Sequence, residues 1–204
     1  VHHAVGEYVT FIDSDDWVDS RFLACLYAPV KEVNADVGVS GVCYVGSQDD
    51  IQPIVTSKYR KYDKRAAIEH YGQINDTASF RGPVVKLLRR EIVASIPFPE
   101  NRHYAEDFAV VYKWYDAASV IVGMEDQLYF YRKTENSATQ RPFDLRRLGN
   151  LDTLEELLKY LKEEKFCTLY AKYALEYITG LACSILKIEQ LELTALKKKR
   201  VLSK

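Results

Sequence analysis

Apolar positions change their rhythm twice along this chain. From Tyr8 to Ile12 they run almost without a break (Tyr8-Val9-Thr10-Phe11-Ile12), which predicts a buried strand. The run stops at Asp13-Ser14-Asp15-Asp16. A helix is expected through Arg21 to Tyr27, capped by Asp19 or Ser20 and stopped near Pro29. Ala35 to Val45 reads as a second strand, Gln48-Asp49-Asp50 as a turn, and Ile51 to Thr56 as a strand pairing back in a hairpin. Ser57 to Lys64, basic and rich in tyrosine, reads as a surface loop. Asp63 is placed to cap a helix through Ala66 to Tyr71 that Gly72 ends. Pro83 to Leu88 predicts a short strand, Arg90 to Ser95 a short helix, and Pro97 to Asn101 a rigid loop. Glu106-Asp107 stands at the start of an amphipathic helix through Phe108, Val111, Tyr112 and Tyr115. Val120 to Val122 and Leu128 to Tyr131 are the last expected strands.

From Leu145 the period lengthens to three and four. Leu145, Leu148, Leu151, Leu154, Leu158 and Leu161 form one stripe, and Phe166, Leu169, Tyr173, Tyr177, Leu181 and Ile185 form a second. The pattern predicts an α/β fold, a mixed sheet flanked by helices over residues 1–143, followed by a C-terminal α-helical appendage over 144–204.

Composition narrows the function. With 48% hydrophobic and 28% charged residues the chain can bury a core, so wholesale disorder is excluded. A formal net charge of -1 gives no electrostatic basis for nucleic acid as the main partner. Cys25, Cys43, Cys167 and Cys183 form no CxxC pair and read as reduced thiols of a cytoplasmic protein. The basic run Lys197 to Arg200 reads first as a solvated tail, with peripheral attachment to anionic lipid at the inner membrane face as the sharper alternative. The longest apolar stretch, Tyr177 to Leu186, is far short of the roughly 20 residues of a membrane span. Val1 is not a Met and stands almost on top of the first strand, so a fragment of something longer is expected.

Three groups of residues carry candidate chemistry. Asp13, Asp15 and Asp16 crowd three carboxylates at a strand end, where ligands of open α/β sheets gather. If the strand geometry persists, Asp13 and Asp15 point to one side and suit a hard divalent cation that also holds phosphate oxygens. A solvated Asp-rich turn is the plainer reading. A calcium EF-hand loop fails, because Trp17 holds the fifth loop position and no Gly follows. An aspartyl-nucleophile phosphatase would use Asp13 and Asp15, but its motif wants Thr or Val where this chain has Trp17. Glu106 and Asp107 are the second group, with helix capping and base catalysis about equally weighted. Tyr131-Arg132-Lys133 with Asn136-Ser137 is the third, a basic loop able to meet a phosphate.

Taken in order, these segments resemble a bacterial family 2 glycosyltransferase with the GT-A fold. The resemblance runs from Ala4 to about Thr139, through Ala4 to Val18, Lys86 to Glu91, Ile96 to Glu100, Glu106-Asp107, and Tyr129 to Arg132 with Ser137. It implies that Asp13-Ser14-Asp15 is the DxD motif, with Asp15 and Asp13 at Mn2+ or Mg2+ and Asp16 the extra acid beside them. It implies that Asp107, with Glu106, is the base of an inverting transfer from a nucleotide-diphosphate sugar, a UDP-sugar, to a saccharide hydroxyl in surface or exopolysaccharide synthesis. Arg132 and Ser137 would then approach the diphosphate. A non-catalytic remnant that holds a glycan or partner is the alternative. Two departures stand out: the family's N-terminal nucleotide-binding half is missing ahead of Ala4, and Val84-Val85 stands where relatives often carry Trp-Asn. A partial sheet would expose an edge, and pairing into a homodimer is one way to cover it.

Overall fold

The computed structural model describes residues 3–46, 52–71, 78–100, 102, 104–132 and 143–202, leaving aside the side chains from 192 on. The chain forms two compact units, Val1–Pro99 with Val110–Gln140, and Glu100–Ala109 with Arg141–Lys204.

The first unit is α/β. Its strands are β1 (Tyr8–Val9), β2 (Trp17–Val18), β3 (Val37–Val45), β4 (Tyr59–Tyr62), β5 (Lys86–Arg89) and β6 (Ile121–Arg132). They form a mixed sheet in the order β1-β5-β3-β6-β2, with β4 also on β6. Only β3 and β6 run parallel; the other pairings are antiparallel. Helices α1 (Phe22–Glu32), α2 (Lys64–Tyr71), α3 (Arg90–Ser95) and α4 (Val111–Ala117) flank it.

Each face of the sheet is closed by a glycine that lets something approach. A Cβ at Gly38 would fall 2.5 Å from Val30 Cγ2, so α1 packs directly on β3 through Phe22, Leu26 and Val30, all buried. A Cβ at Gly123 would fall 2.8 Å from Tyr62 Cε2 and 3.3 Å from Phe80, so aromatic rings lie on the other face. Beneath the first strand, Phe11 stacks on Trp114 at 5.9 Å. Arg89 laces the β1 edge, donating to Asp36 (2.8 Å), Glu7 (3.1 Å) and the Tyr8 hydroxyl (3.0 Å). Buried Lys86 donates to the carbonyls of Ser79 (2.7 Å) and Gly82, tying down the loop ahead of β5. Within that loop Val85 has φ 57°, a conformation that strains a β-branched residue and suits Asn. Val85 therefore bears a backbone cost of about 1–2 kcal/mol.

Several local expectations need correction. Only Tyr8 and Val9 of the first apolar run are strand; Phe11 makes a lone parallel bridge to Val84, and Ile12 is half exposed. Helix α1 runs through Pro29 to Glu32 rather than stopping there, because burial of Pro29 and Val30 against the sheet outweighs one lost hydrogen bond. Its expected side-chain cap acts two residues early: Asp19 accepts from the Arg21 amide at 2.9 Å. The expected loop Ser57–Lys64 contains β4, antiparallel to Ile121–Met124. Its charges misled, since Arg60 and Lys61 stay exposed on an edge strand. The expected hairpin onto β3 does not form among the described residues; Ile54 instead makes one bridge to Gln127 of β6. The Gln48–Asp50 turn and the Gly72 stop lie outside the described residues. The two last expected strands are one, β6. By contrast, Asp63 does cap α2, accepting from the Ala66 amide at 2.8 Å, and α3 spans the expected residues.

The second unit holds a 3-10 turn (Leu145–Leu148), α5 (Gly149–Glu163) and α6 (Cys167–Leu202). Leu154, Leu157, Leu161, Phe166 and Tyr173 are buried. The second apolar stripe is only half used: Leu181 is 40% and Ile185 57% exposed. At 15 and 36 residues, α5 and α6 are about 22 and 54 Å long, so the far part of α6 outruns its partner.

Candidate functional site

The acid cluster closes as a turn, the Asp16 amide donating to the Asp13 carbonyl at 3.1 Å. Period-two alternation therefore does not apply to Asp13 and Asp15. The turn is pinned from β6. Tyr129, buried in the core, accepts from the Asp13 amide at 3.0 Å and donates to Asp16 Oδ2 at 2.7 Å. The Arg132 amide donates to Asp16 Oδ1 at 2.9 Å. Both Asp16 oxygens are thus engaged in holding the turn. Asp15 is exposed and makes no hydrogen bond or ion pair among the described residues. β2 follows at once, its Trp17 stacked on Phe130 at 5.4 Å and covered by the Arg132 guanidinium at 5.1 Å.

The electrostatics agree with this geometry. Burial, and then the Asp16 carboxylate it donates to, hold the Tyr129 phenol far above the ordinary value of 10.0. Burial, followed by the charges of Asp16, Asp13 and Asp15, raises Tyr131 as well. Two tyrosines beside the turn therefore stay neutral and able to donate.

Of the expected site residues, Asp13, Asp15, Asp16 and Arg132 are brought together at the carboxyl end of β6. Ser137 lies outside the described residues. Glu106 and Asp107 belong to the second unit, half-buried in turns that precede α4 rather than in its first helical turn. Asp107 Oδ1 accepts from the Phe108 amide at 2.7 Å. The segment is set by α5: Thr153 Oγ1 donates toward the carbonyls of Gly149 (3.1 Å) and Ala105 (3.4 Å), and Arg102 donates to Thr153 and Glu156, both at 2.8 Å. Ala105 is held at φ 58°, which costs an L-residue about 1–2 kcal/mol. Sequence reasoning missed Tyr129 and Thr153. Neither advertises itself, since Tyr129 acts on Asp13 and Asp16 and Thr153 on Arg102 and Ala105, all distant in sequence.

Among the described residues no group of three or more His, Cys, Asp or Glu side chains is assembled to hold a metal ion. The donor set still fits one kind of cation. Mg2+ is commonly held by one or two carboxylates, with substrate phosphates and water completing the shell, and exposed Asp15 in a fixed turn offers that.

The acid turn thus stands at the carboxyl end of a parallel strand in a mixed α/β sheet, where open α/β sheets gather their ligands. Residues 1–96, just under half of the chain, match the model of glycosyl transferase family 2. It is 32% identical over 148 residues to the glycosyltransferase GlyG of Streptococcus pneumoniae, covering 70% of this chain and 49% of GlyG. It is 26% identical over 141 residues to the glycosyltransferase GlyA of the same organism, covering 66% of this chain and 20% of GlyA. The chain thus spans half or less of these relatives. TarS 1-349 of S. aureus, in complex with UDP-GlcNAc, superposes with a TM-score of 0.63 at 20% identity, covering 85% of this chain and 49% of that one. That likeness shows the fold alone.

Proposed function

We propose that this chain supplies the catalytic, acceptor-binding part of an inverting glycosyltransferase. It would move a sugar from a UDP-sugar to a hydroxyl of a saccharide acceptor in bacterial surface or exopolysaccharide synthesis. The observation that carries the reading is the division of labour in the acid turn. Asp16 is spent on Tyr129 and Arg132, which leaves exposed Asp15, with Asp13 beside it, for a diphosphate-bound Mn2+ or Mg2+. Such a cation supplies charge neutralisation for the departing diphosphate. Asp107 is the proton acceptor for the attacking hydroxyl, and Glu106 stands next to it. Arg132 and Ser137 approach the diphosphate. The complex named for TarS, with UDP-GlcNAc, supports a UDP-sugar as donor. GlyG and GlyA, by name glycosyltransferases of a bacterium, support the setting.

Calorimetric titration of UDP with Mn2+ tests this. Wild-type chain should bind in a Mn2+-dependent manner, and Asp15→Asn should lose at least about tenfold in affinity, or roughly 1.4 kcal/mol. Equal affinity in the two proteins, or no Mn2+ dependence, overturns the assignment.

A further inference from the structure

Away from the acid turn, the other face of the sheet carries an open cleft of about 570 Å3, within the roughly 300–1,000 Å3 of small-ligand sites. Alternation builds it. Lys58, Arg60 and Tyr62 are two residues apart, so along and beside β4 they share one side, and Gly123 lies opposite Arg60 in the β6 register. These residues line the cleft together with Glu125 and His70. Its floor is aromatic: Gly123 has no side chain, so Tyr62 rests on the strand, and His70 stacks on Phe80 at 5.3 Å with its edge to Tyr62 at 5.0 Å. Its rim is cationic. Lys58 and Arg60 are exposed, and neither side chain forms an ion pair among the described residues. Glu125 is the only acid among the described lining residues.

We propose that this cleft binds an anionic saccharide, a sugar ring bearing a phosphate or a carboxylate, distal to the acid turn. The aromatic floor offers a ring face, as sugars and tyrosines pack well through their apolar surfaces. Arg60 offers a planar fork for two anionic oxygens and Lys58 a point charge. Glu125 accepts from ring hydroxyls. The nearest acid-turn partner, Tyr129, is six positions along β6 from Gly123, at most about 20 Å away. The bound unit is therefore a remote part of a chain-like ligand. Calling that ligand the acceptor rests on the transferase reading; the binding does not.

The test is a 15N chemical-shift titration of the whole chain with glucose 6-phosphate, glucuronate and glucose. Saturable shifts at Arg60, Tyr62 and Gly123 with the anionic sugars, and none with glucose at equal concentration, are expected. Arg60→Ala and Lys58→Ala, both exposed positions, should each weaken binding about fivefold, and added salt should weaken it further. Response to only one of the anionic sugars also supports the proposal and identifies the anion. Glucose binding as well as either one, no saturable response, or indifference to both substitutions overturns it. Mn2+–UDP binding followed in the same samples keeps the two ideas apart. A lost donor response with an intact sugar response refutes the transferase reading alone, and the reverse refutes the cleft alone.

Discussion

Replacing Tyr129 by Phe removes one oxygen from the protein and keeps the ring that packs against Phe22 at 6.0 Å. Two hydrogen bonds go with it, to Asp16 Oδ2 at 2.7 Å and from the Asp13 amide at 3.0 Å. A bond to a charged partner contributes about 1.5–3 kcal/mol, and one to a neutral amide about 0.5–1.5 kcal/mol. Asp13 is exposed and Asp16 half-buried, so water recovers much of this, and the expected net loss is about 1–2 kcal/mol. With a urea slope of about 2 kcal/mol/M, the midpoint should fall by roughly 0.5–1 M. Both tryptophans, Trp17 and Trp114, belong to the first unit, so their fluorescence follows the relevant transition. The alkaline limb gives an independent check. In the fold the Tyr129 phenol keeps its proton above pH 10, where the unfolded chain loses its own. Its contribution is therefore complete below pH 10 and disappears as pH climbs towards the raised folded value. Tyr129→Phe should flatten part of that decline. Faster amide exchange at Asp13 and Arg132 should accompany the loss. A midpoint within about 0.2 M of wild type, with exchange at both amides unchanged, would refute the view that Tyr129 holds the turn.

Three further outcomes are expected. Asp107→Asn should abolish sugar transfer by the intact protein while leaving UDP affinity within about twofold, since a base acts on the acceptor and not on the donor; undiminished turnover removes Asp107 from the mechanism. Thr153→Val should cost about 1–3 kcal/mol and speed amide exchange at Phe108 and Ala109, because the buried hydroxyl joins Arg102, Gly149 and the strained Ala105; Thr153→Ser should restore both. Gly38→Ala should destabilise the first unit by about 1–3 kcal/mol in thermal unfolding, since its methyl would meet Val30 at 2.5 Å and Met124 at 3.2 Å.

Local signals were legible where one residue decides locally. Asp63 announces the start of α2, and the two helices of the second unit follow from leucine spacing. The family likeness was legible for the same reason, because acid, Lys-Leu and aromatic segments fall in order. What stayed hidden depends on pairing. β4 looks like a loop because Arg60 and Lys61 are both exposed, and only its register on β6 makes it a strand. Asp16 looks like a ligand until Tyr129, far away in sequence, is seen to hold it. Glu106-Asp107 looks like the start of α4, yet it lies in the second unit, in a segment whose Arg102 and Ala105 are tied to Thr153 of α5, beyond the reach of any local pattern.

The irregular middle of β6 has a consequence for how such chains can vary. From Ile121 to Arg132 the strand takes eleven steps while its neighbour β3, from Val37 to Val45, takes eight. The surplus is odd, so the two halves of β6 are out of phase: Val122 and Met124 share the α1 face with Tyr129 and Tyr131, although even and odd positions should oppose one another. Losing a single residue between Met124 and Leu128 would turn Tyr129 away from Asp16 and bring Phe130 into its place, and gaining one would bring Leu128 there. Variation in length at that bend is therefore quantised. Changes by two keep the two faces of the strand as they are, and changes by one exchange them.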